Sequence, residues 1–515
     1  MLRNYVAAAL RNLMRNKLVS AINIGGLALG FAAALLIALY LRYQLTYEQF
    51  IPGHERVYRL SMTIELPGSP PDISDSADFF MAEYLKADYQ EVAMTARLAG
   101  QFRSVRHGEI EHPEGIYFAD PDFFRMLPFP VVAGDLERAL DTPDGLVITR
   151  FIARRYFGNE NPLGQMLELD RSFSLRIVAV IEDLPGDTHF NFRMVASSKS
   201  KVSNQSQAEA QRATSNQLRR GAFTYFQLRR GANVARIEAD ANDFLKRHYR
   251  QSVPTTLDIE ALSHVHLVPT GRYPMSPATN PRTLWTLGLV GLLALLLAVI
   301  NFVNLMTARA AQRSIEVGVR KSAGARRADL IAQFLGESCL YVFAAALVAM
   351  AVVELVLPTF NAMLSIGADD EQANAVTVTF SYWREPILAA GLLLAVLVVS
   401  VLAGAYPAFV MSAMRPINAL HRGIGAHGST RVRTILVVLQ LAALIALLFC
   451  TAVIQRQMSY SLTDSLRIDR DQVMIMFFTK TPSETIKIAL AALPGVSGVT
   501  AAGAAPTNYG NGWGQ

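Results

Sequence analysis

The stretch from Asn301 to Leu340, NFVNLMTARAAQRSIEVGVRKSAGARRADLIAQFLGESCL, holds a short basic segment between two apolar runs. Its middle, roughly 310–323, sets Glu316 and Arg320 four residues apart, the favourable order for an ion pair along a helix. Ile315, Val317 and Val319 supply apolar surface, and Gly318 and Gly324 would let another surface come close. This predicts a short amphipathic helix strung between two membrane helices. A basic loop resting on anionic lipid would need only the cations, and the residues by themselves leave that alternative open.

The flanking apolar runs fit the whole chain. Of its 515 residues 51% are hydrophobic and 17% charged, too apolar a balance for one ordinary soluble globule. The apolar excess gathers into blocks at 18–43, 283–308, 330–357, 386–414 and 434–456, each long enough to cross a hydrocarbon core about 30 Å thick. Glu337 and Glu354 fall in the third block, and both are expected near its ends, within reach of water. The net charge of +6 comes from cations beside the apolar blocks, which points to membrane orientation rather than nucleic acid.

Cytoplasmic loops of membrane proteins carry the excess of Lys and Arg. The segments 1–17, 309–329 and 415–433 are the basic ones. They are therefore assigned to the cytoplasm, the first as an amphipathic N-terminal segment, which leaves 44–282, 358–385 and 457–515 outside. The run at 18–43 is too long for the apolar region of a signal peptide and reads as an uncleaved anchor. Cys339 and Cys450 lie within apolar blocks, so neither a disulfide nor a metal site is implied.

The segment 44–282 reads as mixed α and β. Leu175 to Ile181 (LRIVAVI), Leu146 to Thr149 and Tyr58 to Ile64 have strand composition, and Arg150 to Phe157 and Ala239 to His248 have helical patterning. Ala196 to Gln217 is rich in Ser, Gln and Asn and is expected to be a mobile loop. A basic segment, an apolar run and a strand-like VMIMFF (Val473 to Phe478) repeat the order that opens the chain, a hint of duplication.

Several patterns invite a chemical reading and are better taken structurally. His264 and His266, two apart on an expected strand, lack a third ligand for a tetrahedral metal. Asp120, Asp122, Asp183 and Asp187 sit in Pro or Gly turns, where Asp commonly accepts backbone hydrogen bonds. GGLALG (Gly25 to Gly30) lies inside an apolar block, so its glycines read as helix-packing positions, and Asn23, Asn301 and Asn304 as groups that hydrogen-bond between helices or as interfacial residues, rather than as ligands. No G-x-x-x-x-G-K-[ST] phosphate loop occurs in the sequence.

EVGVRKSAGA (Glu316 to Ala325) fits the E-(V/I)-G-(V/I)-R-K-x-x-G-A pattern of the MacB/FtsX-like ABC transporter permeases, and the chain resembles their eight-helix type. The resemblance extends to Ile116 to Gly134, to Asp144 to Leu184, to GAYPAFVMSAMRPINAL (Gly404 to Leu420) and to RVRTILVVLQLAAL (Arg431 to Leu444). It implies an α-helical polytopic membrane protein with an α+β extracytoplasmic, MacB-like periplasmic core domain, in the bacterial inner membrane with its N-terminus in the cytoplasm. The implied function is that of a permease without enzymatic activity, moving its outside domains for export or mechanotransmission. The implied coupling helix meets the ATPase through Glu316, Gly318, Arg320, Lys321 and Gly324. ATP would be bound by an ABC ATP-binding subunit in trans, so no cofactor is expected on this chain. The resemblance also implies a permease dimer in membrane lipid, a periplasmic adaptor and no nucleic acid. Two departures stand out: the last three spans of an eight-helix member are missing, so the chain is expected to be truncated, and Ala196 to Gln217 is unusually polar. The alternative is a membrane sensory or signalling protein with an extracytoplasmic ligand-binding domain.

Overall fold

The computed structural model describes residues 17–65, 67–68, 71–211, 220–249, 253–268, 271, 274–312, 314–322, 324, 326–365, 377–379, 386–413, 427–463, 474 and 484–500. In chain order the elements are α1 (Lys17–Leu45), β1 (Val57–Ile64), β2 (Asp72–Ser74), β3 (Ala77–Asp78), α2 (Met81–Asp88), β4 (Val92–His107), β5 (Ile110–Ala119), α3 (Phe123–Met126), β6 (Val131–Gly134), β7 (Gly145–Thr149) and α4 (Arg150–Phe157). They continue with β8 (Met166–Leu169), β9 (Phe173–Ile181), β10 (Met194–Ser197), α5 (Asn204–Gln211), β11 (Arg220–Leu228), α6 (Ala235–His248) and β12 (Thr255–Ala261). The helices α7 (Pro281–Gln312), α8 (Ser314–Ser322), α9 (Arg327–Leu364), α10 (Pro386–Ala413), α11 (His427–Thr463) and α12 (Glu484–Ala491) complete the described chain. Two compact units result, one helical and one α+β, the latter built mainly from residues 43–281.

Among the described residues of the helical unit, four helices are long and apolar enough to cross a membrane: Lys17–Leu45, Pro281–Ala308, Arg327–Leu364 and Thr434–Tyr460. A shorter apolar helix covers Ala389–Ala405 within α10. Helix continues into several of the segments that connect these spans. The helix α7 runs on to Gln312, α9 continues through Pro358 to Leu364, and α11 begins at His427. Apolar blocks mark the stretch a bilayer must cover, whereas the backbone stays helical beyond it as long as its own hydrogen bonds continue.

Because α9 starts at Arg327, Glu337 lies ten residues into the helix and is buried, while Glu354 is exposed. The expectation that both carboxylates reach water from helix ends therefore fails for Glu337. Two of the three glycines of GGLALG pack helices: a Cβ on Gly30 would lie 2.3 Å from Cβ of Ala298, and one on Gly26 would meet Asn301, whereas one on Gly25 would meet nothing within 4 Å. Two of the three asparagines are not bonded as expected. Both amide atoms of Asn23 and of Asn304 are buried with no hydrogen-bond partner among the described residues.

The α+β unit is organised on a twelve-stranded mixed sheet in the order β12-β1-β11-β4-β5-β10-β7-β9-β6, with β2, β3 and β8 pairing from the side. Most neighbours are antiparallel, but β10 runs parallel to β5 and β7 parallel to β9. The strand reading of LRIVAVI holds: β9 alternates at its start, burying Leu175 and Ile177, and becomes continuously buried toward Ile181. The helix α4 forms over the expected residues, burying Ile152, Tyr156 and Phe157 on one side. An Asp183 carboxylate oxygen accepts the Phe151 N–H at 2.7 Å and so caps this helix from a distant turn. The central core gathers Phe123, Phe124, Phe129, Phe190, Phe192 and Tyr225, packed mostly edge to face.

Two local expectations are corrected here. His264 and His266 lie on a 3₁₀ turn, Leu262–Leu267, because β12 ends at Ala261. Within Ala196 to Gln217, the first two residues finish β10 and Asn204–Gln211 form α5. The polar side chains that suggested a loop hold it in place: Ser203 Oγ accepts the Ser206 N–H, and Gln205 Nε2 donates to the Phe118 carbonyl at 2.7 Å. Residues 212–217 lie outside the described residues, as do the N-terminal segment 1–16 and, except for Met474, the strand-like Val473 to Phe478.

Candidate functional site

The helix α8 has nine described residues, and Gly324 just beyond it lies in a turn with a left-handed backbone, φ 93°. Directly after it, α9 is capped in its own first turn: the Asp329 carboxylate accepts the Arg326 N–H at 3.2 Å. Val317 is buried in a small cluster with Leu330 and Phe334 of α9 and Ala408 of α10. Gly318 is also buried, so one side of α8 faces the helices that flank it, while Val319, Ser322 and Gly324 are exposed on the other. The apolar surface expected from Val317 and Val319 is thus divided between two faces.

The cations of this segment turn back toward the helical unit. Arg320 Nη1 donates to Gln333 Oε1 of α9 at 2.6 Å, and Gln333 is buried. Lys321 Nζ donates to the Ser412 carbonyl at 2.8 Å, and Arg327 Nε donates to Ser412 Oγ at 3.3 Å. Ser412 lies next to the last described residue of α10, Ala413. Partial burial and then the neighbouring Arg327 hold the Lys321 ammonium pKa below the usual lysine range. Of the five residues expected to form the coupling site, Gly318, Arg320, Lys321 and Gly324 are placed on or beside α8, and the backbone of Glu316 lies within it. The Glu316 side chain lies outside the described residues. Gln333 and Ser412 escaped the sequence reading, since neither has a local signal: they are 13 and 91 residues from their partners.

The family model for the MacB-like periplasmic core domain matches residues 20–244, and that for the FtsX-like permease C-terminal matches residues 288–416, which includes α8, Gln333 and Ser412. The chain belongs to the MacB/FtsX-like ABC permeases. A relative, the macrolide export ATP-binding/permease protein MacB of Nitrobacter winogradskyi, is 33% identical over 119 residues, 23% of this permease and 16% of that protein. The permease thus spans about one sixth of the length of the curated relative it matches. Among solved structures, a permease-protein domain from Porphyromonas gingivalis is 17% identical, with a TM-score of 0.36 over 45% of this chain and 95% of that one. The periplasmic region of MacB from Actinobacillus actinomycetemcomitans is 12% identical, with a TM-score of 0.29 over 40% of this chain and 90% of that one.

The other residues that drew attention in the sequence serve structure. Asp120 accepts from Arg97 N and Nε and from Ser198 Oγ, and Asp122 pairs with Arg125. His266 Nε2 bonds Gln44 Oε1, and its ring stacks on Tyr47 at 3.5 Å. Among the described residues, no group of three or more His, Cys, Asp or Glu is placed to hold a metal ion.

Proposed function

We propose that this permease is the membrane subunit of an ABC transporter and that α8 is the segment on which a separate ATP-binding subunit acts. The observation that carries the reading is the division of α8 into a face packed on α9 and α10 through Val317 and a face left open at Val319. A segment held in this way can receive a push on its open side and pass it into membrane helices. The loop bearing Glu316, Gly318, Arg320, Lys321 and Gly324 is then cytoplasmic, and the α+β domain is on the other side of the bacterial inner membrane. Trp285 at the start of α7 is 81% exposed, as suits a membrane–water interface on either side, and the orientation itself rests on the Lys and Arg of the 309–329 and 415–433 segments. ATP closure by the partner moves the α+β domain, in export or in mechanical signalling, with two permease copies around two ATP-binding subunits and a periplasmic adaptor as further partners.

Cysteine accessibility tests the sidedness. In a background with Cys339 and Cys450 replaced by Ala, Val319→Cys and Phe102→Cys introduce thiols at positions that are 55% and 51% exposed. An impermeant maleimide added to spheroplasts should label Phe102→Cys at once and Val319→Cys only after permeabilisation. Labelling of both from one side overturns the reading. Affinity purification should also recover an ATP-binding subunit from host membranes, and Glu316→Arg should abolish that recovery.

A further inference from the structure

We propose that Lys321, supported by Arg327, is a latch that fastens α8 to the C-terminal end of α10, so that Lys321 is a positioning residue and not a surface contact for the partner subunit. The reasoning starts from the backbone of Ser412. Its carbonyl and its hydroxyl both take bonds from cations that lie 91 and 85 residues earlier in the chain. Lys321 supplies one at 2.8 Å, and Arg327 adds a bond to the Ser412 hydroxyl at 3.3 Å. Ser412 is 1% exposed, so its carbonyl and hydroxyl have little access to water as a substitute.

The latch joins segments that Val317 alone would hold weakly. α8 has only nine residues, too few to stay helical without tertiary support. With Arg320 tied to Gln333 on α9 and Lys321 tied to Ser412 on α10, α8 is fastened to both helices at once. A force on its open face is then delivered to α9 and α10 together rather than spent in melting α8. This deepens the reading that α8 receives an ATP-binding subunit and rests on it for its purpose, although the latch itself is a property of the chain alone.

Hydrogen–deuterium exchange on the full chain in lipid nanodiscs tests it without any partner. The α8 amides of the double variant Lys321→Gln, Arg327→Gln should exchange about tenfold faster than those of the unaltered chain, while the strands β4 and β9 keep their protection. Lys321→Arg, which keeps a cationic donor, should restore slow exchange. Ser412→Ala, which removes only the hydroxyl acceptor, should give a smaller increase of about threefold and serves as the deciding variant if the double one fails to fold. Exchange of α8 unchanged in these variants overturns the latch. Recovery of an ATP-binding subunit is scored separately. Loss of recovery with Lys321→Gln at unchanged α8 exchange would make Lys321 a contact residue and sink the proposal, while absence of any such subunit from the unaltered chain would sink the functional reading and leave the latch standing.

Discussion

A carboxylate oxygen of Glu48 lies 2.7 Å from Nδ1 of His189, both side chains are buried, and the far ring nitrogen, Nε2, is 2.8 Å from the hydroxyl of Tyr225. The chain thereby ties the segment just after α1 to the aromatic centre of the α+β domain. Glu48 also accepts from Thr188 Oγ1 at 2.8 Å, and its backbone sits in the left-handed region at φ 64°, where a residue other than Gly needs external support.

Removing this carboxylate leaves the Thr188 hydroxyl and the His189 ring without their acceptor in a buried place. Glu48→Ala is expected to destabilise the α+β domain by about 3–5 kcal/mol, the usual loss when one partner of a buried pair is deleted. For a domain of this size that lowers the melting temperature by roughly 10 °C. Thermal unfolding followed by intrinsic fluorescence measures it, and a melting temperature within a degree of the unaltered chain would refute the role given to Glu48.

His266 predicts a pH dependence. Burial, and then the neighbouring His189 ring, push its imidazole down to about 4, so it is neutral in the folded domain near pH 7 and bonds Gln44 in that form. In the unfolded chain it titrates near the ordinary value of about 6.5. The folded state therefore resists protonation, and the stability held by neutral His266 is fully present above about 6.5 and lost as pH falls toward about 4. The full displacement corresponds to about 3 kcal/mol. His266→Gln should flatten this part of the profile of stability against pH. Parallel profiles for both proteins between pH 6.5 and 4 would show that His266 does not titrate in this way.

The face division of α8 gives a pair of contrasting variants. Val317→Ala removes methyl groups packed against Leu330, Phe334 and Ala408 and should loosen α8 by about 1–2 kcal/mol. Val319→Ala, on the open face, should leave its stability unchanged within about 0.5 kcal/mol. Limited proteolysis between α7 and α9 reports both, and equal cleavage rates for the two variants would contradict the assignment of faces.

The sequence discloses these features unequally, and the reason is distance along the chain. Hydrophobic runs, strand alternation in Phe173–Ile181 and the helix Arg150–Phe157 depend on neighbours a few residues away, and a linear reading finds them. The stretch Glu316 to Ala325 identifies the place of α8 through its residue pattern. Sheet order, by contrast, brings Arg59 to Glu260 across 201 residues and bonds them at 2.6 Å, which no local period encodes. The same holds for Lys321 and Ser412. Burial of Glu337 and the helix in the Ser- and Gln-rich stretch fail for a related reason: composition describes what a side chain prefers, whereas capping bonds and packing partners decide where it ends up.

The α1–α7 contact offers the sharpest geometric test. Within a membrane no hydrophobic force favours one helix surface over another, so association depends on close packing, which small residues permit. At Gly30 the approach is so close that an added Cβ would sit 2.3 Å from Cβ of Ala298 and 3.3 Å from the backbone oxygen of Ala294. Gly30→Ala must therefore push the helices apart, and a cost of about 1–3 kcal/mol is expected, as for other overpacked contacts. The obstruction comes chiefly from one methyl group, so Ala298→Gly in the same chain should recover most of that loss, even though glycine itself weakens a helix by up to about 1 kcal/mol. Unfolding in detergent under increasing denaturant provides the measurement for both single variants and the double one. A double variant no more stable than Gly30→Ala would mean that the loss does not arise at the Ala298 methyl, and the close α1–α7 crossing would have to be abandoned.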